Sequence, residues 1–97
     1  MLAALVTVEL HVPGASSLKE RRGPVRSLVR RLRNDLDVSV AELGDQDLWQ
    51  RATLGVAIAA SSEVGARKVA QSVEKICAGD PRVEVIGFSV EIVQTES

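Results

Sequence analysis

Aromatic side chains are nearly missing from this sequence: one Trp, one Phe and no Tyr stand among 97 residues. A sheet that reads single-stranded nucleic acid by stacking bases needs a platform of such rings, so the composition weighs against that mode of binding. Cysteine and histidine are as scarce, at one each, which excludes a disulfide scaffold and a zinc cluster of His and Cys ligands. Neither GxGxxG nor GxxxxGK followed by Ser or Thr occurs, so no Gly-rich phosphate cradle is encoded. No apolar run approaches the roughly 20 residues that cross a bilayer. Residues 2–8 are apolar but for Thr7, and they lack a preceding positive residue and meet Glu9 too soon for a secretory signal. The expectation is a soluble cytoplasmic protein with no membrane partner, no cofactor or metal, and no small-molecule substrate.

What the chain does have is aliphatic: hydrophobic residues make up 45% of it, enough for one core at a length that suits one domain. Residues 2–12 alternate, with Leu2, Ala4, Val6, Val8, Leu10 and Val12 on one side and Leu5, Thr7, Glu9 and His11 on the other, so a strand is expected before Pro13-Gly14. Ser17 with Glu20 has capping-box spacing. Leu18, Val25, Leu28, Val29, Leu32 and Leu36 then follow at helical intervals, predicting one helix to about Asn34, kinked at Gly23-Pro24. Residues 37–43 and 51–60 read as strands joined by the polar Gly44-Asp45-Gln46-Asp47 connection, where Asp45 and Asp47 serve the turn. Ser61 and Ser62 are candidate caps for a second helix over residues 63–78, stopped by Gly79-Asp80-Pro81. In residues 82–93 the apolar parity changes between Val83/Val85 and Ile86/Phe88/Val90/Ile92, which predicts a β-bulge near Ile86-Gly87.

The order βαββαβ predicts a single α+β domain of ferredoxin-like architecture spanning residues 1–97. A four-stranded antiparallel sheet would carry two helices on one face, with the first and third strands central. The other face is then left uncovered. Leu5, Ala41, Gly55, Ala57 and Ala59 make it flat and small, with Thr7, Glu9, His11, Thr53, Ser89 and Glu91 around them.

Charge is distributed unevenly. Seven basic residues and one acidic lie within residues 17–33, a local +6, so the remainder carries −7. At about 100° per residue, Lys19, Arg22, Arg26, Arg30 and Arg33 fall in an arc of about 80° beside the apolar stripe. Cations lined up in this way suit a phosphate backbone; a solvated helix face, paired with the molecule's own carboxylates, is the plainer alternative. Arg51 is a candidate addition to the patch. His11 and Glu9 share one side of a strand, but with no nucleophile motif beside them a polar surface pair is the simpler reading than a catalytic dyad. Cys77, on the apolar stripe of the second helix, reads as buried filler. Trp49 is either core or an anchor for a partner.

The blocks Glu9-Leu10-His11-Val12-Pro13-Gly14, Ser17-Leu18-Lys19-Glu20-Arg21-Arg22, Val38-Ser39-Val40-Ala41-Glu42 and the run from Gln46-Asp47-Leu48-Trp49-Gln50-Arg51 to Gly55 resemble the YlxP-like family of small bacterial proteins. The resemblance spans nearly the whole chain and implies a ferredoxin-like domain in a bacterial cytoplasm. It supplies no activity. Its genes often adjoin those of transcription, translation initiation and ribosome maturation, which implies an RNA or ribosome connection by association.

Two readings of function follow. The first is a non-enzymatic accessory protein that binds structured RNA, ribosomal RNA or a ribosomal subunit, through Lys19, Arg22, Arg26, Arg30, Arg33 and Arg51. The second is a homodimeric interaction module using Leu5, Thr7, Glu9, His11, Trp49, Ala57 and Ala59 on the open face. An enzyme built on His11 and Glu9 ranks behind both.

Overall fold

A computed structural model describes residues 1–44 and 50–96 of the chain. The Asp45, Asp47 and Trp49 expectations fall outside those residues. The element order is β1 (Leu2–His11), α1 (Leu18–Asp35), β2 (Ser39–Leu43), β3 (Arg51–Ala60), α2 (Glu63–Ala78) and β4 (Glu84–Gln94). The strands form one antiparallel sheet in the order β2-β3-β1-β4, the arrangement expected of the ferredoxin-like fold.

Period-two alternation in the sequence becomes two chemically different sheet faces. Leu2, Ala4, Val6, Val8 and Leu10 of β1 are buried together with Ala52, Leu54, Val56 and Ile58 of β3. Val25, Leu28 and Leu32 of α1 and Ala66, Ala70, Val73 and Cys77 of α2 close the same core from the helix side. Fully burying a Leu or Ile of this kind is worth about 1.5–3 kcal/mol, so this single layer between sheet and helices supplies the main driving force.

Ser17 caps α1, its hydroxyl accepting from the Glu20 N–H at 3.1 Å. The return arm of the expected capping box is displaced by one residue: the Glu20 carboxylate accepts from the backbone N–H and hydroxyl of Ser16 at 2.9 and 2.8 Å. Those two hydrogen bonds hold the Glu20 carboxyl below its ordinary pKa. α1 runs as one helix through Pro24, so the phase of its side chains is kept from end to end.

The bulge falls where the parity change put it. Glu9 pairs with Gly87 and Leu10 with Val85, leaving Ile86 as the extra residue. Phe88, Val90 and Ile92 are thereby turned onto the core. Two strand starts differ from the sequence reading. β4 begins at Glu84 rather than residue 82, because Asp80 takes the N–H groups that would have started it. The Arg82 N–H donates to Asp80 Oδ1 and the Val83 N–H to the Asp80 carbonyl. β2 begins at Ser39 rather than residue 37, with Val38 still packed against the core.

Candidate nucleic-acid interface

α1 presents three faces set by helical phase. Val25, Leu28 and Leu32 face the sheet. The flank nearer α2 carries Ser27, which accepts from Arg82 Nη2 at 3.0 Å, and Arg31, which pairs with Asp35 at 3.5 Å. The flank nearer β2 carries Lys19, Arg22, Arg26, Arg30 and Arg33, all exposed. Lys19, Arg22, Arg26 and Arg30 pair with no carboxylate among the described residues. At 1.5 Å of rise per residue the strip is about 21 Å long from Lys19 to Arg33. Such a row of like charges is destabilising along an isolated helix, and helix propensity does not explain it.

Arg33 differs from the other four. Its Nη2 donates to the Val40 carbonyl at 2.7 Å, which ties the last turn of α1 to the outer side of the edge strand β2. Beside it, Arg26, Arg30, Arg33 and Asn34 line a groove of about 370 Å³ between α1 and β2, with Val29 between the walls and Glu42 across from the arginines. Glu42 belongs with Val40 to the even-numbered, helix-side row of β2, opposite Leu54 of β3.

Below the groove sits Arg21, only 3% exposed. Its Nη1 donates to the Arg51 carbonyl at 2.9 Å and its Nη2 lies 3.3 Å from Glu42 Oε1. Charge counting alone passed over it. The signal was in the phase, because Arg21 stands four residues before Val25 and seven before Leu28, on the apolar stripe.

Arg51 does not extend the basic strip. It opens β3 opposite His11 and therefore belongs to the odd-numbered, helix-free row of the sheet. Only its backbone carbonyl reaches toward α1. His11 and Glu9 share the helix-free row of β1 as expected, but the carboxylate near His11 belongs to β4. Glu84 stands directly opposite His11 in the register, and its Oε2 is 3.5 Å from His11 Nδ1. Glu9 instead lies across Gly87, where an added Cβ would come within 2.5 Å of Glu9 Oε2. Among the described residues no group of three His, Cys, Asp or Glu side chains could hold a metal ion.

The open face is as smooth as its sequence implies. Across the middle of the sheet run the rows Ser39, Ala57, Leu5, Glu91 and Ala41, Gly55, Thr7, Ser89, with Ala59 and Ala3 beyond them. A shallow depression of about 400 Å³ lies over these rows. Leu43 folds across Gly55, so closely that a Cβ there would meet Leu43 Cδ1 at 2.6 Å. Leu5 and Leu43 remain 46% and 44% exposed. Cys77 is fully buried, and burial together with the Asp80 charge pushes its thiol up to about 11.

The sequence pattern of the family described as "Protein of unknown function (DUF503)" matches residues 3–90. The uncharacterized protein YlxP of Bacillus subtilis (strain 168) is 39% identical over 70 residues, covering 72% of this chain and 76% of that protein. Among solved structures, a de novo designed protein with ferredoxin fold superimposes with a TM-score of 0.54 at 13% identity, covering 100% of this chain and 89% of the design. No described helix is long and apolar enough to cross a membrane.

Proposed function

From a chain that belongs to the DUF503 family, a family of unknown function, we infer a role carried by its surface, and we propose that it is a non-enzymatic accessory protein binding structured RNA along α1. Ribosomal RNA is the ligand class in view, which places its work in the cytoplasm. The observation that carries the reading is the row Lys19, Arg22, Arg26 and Arg30: four exposed cations on one helix flank, without a carboxylate partner among the described residues. Pairing with the molecule's own carboxylates, the plainer account of a charge run, falls among the described residues to Arg21 and Arg31. A polyanion neutralises such a row by displacing its own condensed counterions. Contacts of this kind fix position and shape preference, without reading bases.

Filter binding to ribosomal RNA fragments across a salt series tests this. Four phosphate contacts give a slope of log affinity against log salt of about −3 to −4. The double variant Arg26→Glu/Arg30→Glu should abolish binding. Absence of binding by the unaltered protein at low salt, or undiminished binding by the double variant, rejects it.

A second reading, a homodimer through the open face, is supported by the depression bounded by the half-exposed Leu5 and Leu43. Light scattering at high concentration should then report a dimer that Ala57→Arg returns to monomer, whereas a monomeric unaltered protein rejects it.

A further inference from the structure

We propose that the groove between α1 and β2 distinguishes RNA from DNA by presenting Glu42 as the acceptor for a ribose 2′-hydroxyl; this rests on the RNA-binding reading above. The two walls of the groove are chemically opposite. Arg26, Arg30 and Arg33 stand on the α1 wall, and among the described residues Glu42 alone carries charge on the β2 wall. A phosphate is drawn to guanidinium groups and repelled by a carboxylate. A nucleic-acid backbone lying along the groove is therefore turned, phosphates toward α1 and sugar edge toward β2.

Glu42 is prepared to receive a donor at that edge. Arg21 Nη2 engages Oε1 at 3.3 Å, which fixes the carboxylate on the wall from beneath. Oε2 accepts no hydrogen bond among the described residues, and the side chain is 34% exposed. An ionised carboxylate accepts hydrogen bonds and donates none. The 2′-hydroxyl is a donor that RNA has and DNA lacks at the same position. Against DNA the same carboxylate offers only repulsion to the backbone, so the discrimination has both an attractive and a repulsive part.

The test uses the full chain and three hairpins of identical sequence: RNA, RNA substituted throughout with 2′-fluoro, and DNA. The 2′-fluoro hairpin keeps an RNA-like helix but has no 2′ donor, so this arm needs no protein variant. We expect about tenfold weaker binding to 2′-fluoro RNA and to DNA than to RNA, the scale of one hydrogen bond to a charged acceptor. Glu42→Ala, shown by circular dichroism to be folded, should bind RNA and 2′-fluoro RNA alike and DNA no less tightly than the unaltered protein does. Equal affinity of the unaltered protein for RNA and 2′-fluoro RNA overturns the proposal, as does an undiminished preference in Glu42→Ala. Binding of none of the three hairpins removes the RNA-binding reading itself.

Discussion

Arg21 and Glu42 form an unequal ion pair: 3.3 Å separates Nη2 from Oε1, yet the guanidinium side chain is 3% exposed and the carboxylate 34%. Removing either partner therefore has a different consequence. Removing Arg21 takes away its packing, the hydrogen bond to the Arg51 carbonyl and the guanidinium's remaining contacts at once. Removing Glu42 takes away one partner among several of that guanidinium, from a carboxylate that is itself one-third exposed. Arg21→Met is expected to destabilise by about 1–2 kcal/mol, and Glu42→Ala by less than Arg21→Met. Urea denaturation of the two variants checks the order; equal losses would contradict it.

Arg26 and Arg30 are four residues apart on one exposed flank, a like-charge pair that disfavours the helix by about 0.2–0.5 kcal/mol. Neither contributes an ion pair to the fold among the described residues. Arg30→Glu is therefore expected to leave stability unchanged or raise it by a few tenths of a kcal/mol, while weakening RNA binding. Thermal melts beside the binding assay separate a surface kept for a ligand from one that holds the fold together. A substantial fall in melting temperature would assign Arg30 to the fold.

Cys77 is buried on α2, and its thiol is pushed from 9.0 up to about 11 by burial first and the Asp80 charge second. A raised folded-state pKa contributes stability that is whole below pH 9 and declines as pH rises, being lost above about 11. Native protein at pH 8 should therefore resist alkylation, with labelling appearing in step with unfolding. Cys77→Ala should flatten the alkaline part of the stability profile. Rapid labelling of the folded protein would show that the thiol is accessible after all.

How far the sequence carried this picture depends on the range of the interactions. β1, β3 and the bulge at Ile86 were legible because side-chain parity is a local property, and a parity change has few remedies besides one inserted residue. The start of β4 was not, since it depends on Asp80 capturing the N–H groups of Arg82 and Val83. At the candidate interface, the strip of cations followed from helical phase. The different employment of Arg21 and Arg33 depends on β2 and β3, brought alongside by the fold; in sequence Arg21 is 30 residues from Arg51, whose carbonyl it engages. Arg51 was joined to the strip by shared charge alone, which does not say which side of the sheet a residue joins; Glu9 and His11 do share the helix-free row, but the carboxylate opposite His11 comes from β4, 73 residues away in sequence.

The hydrogen bond from Arg33 to Val40 has one more consequence. An outermost strand with idle carbonyls invites a foreign strand to zip on, and repetition of that event builds fibres. Here a charged side chain, arriving from a helix on the other layer, already occupies one of those acceptors. A newcomer would have to evict a guanidinium before it could align, so the same residue that borders the groove also discourages the molecule from growing end upon end into an extended sheet.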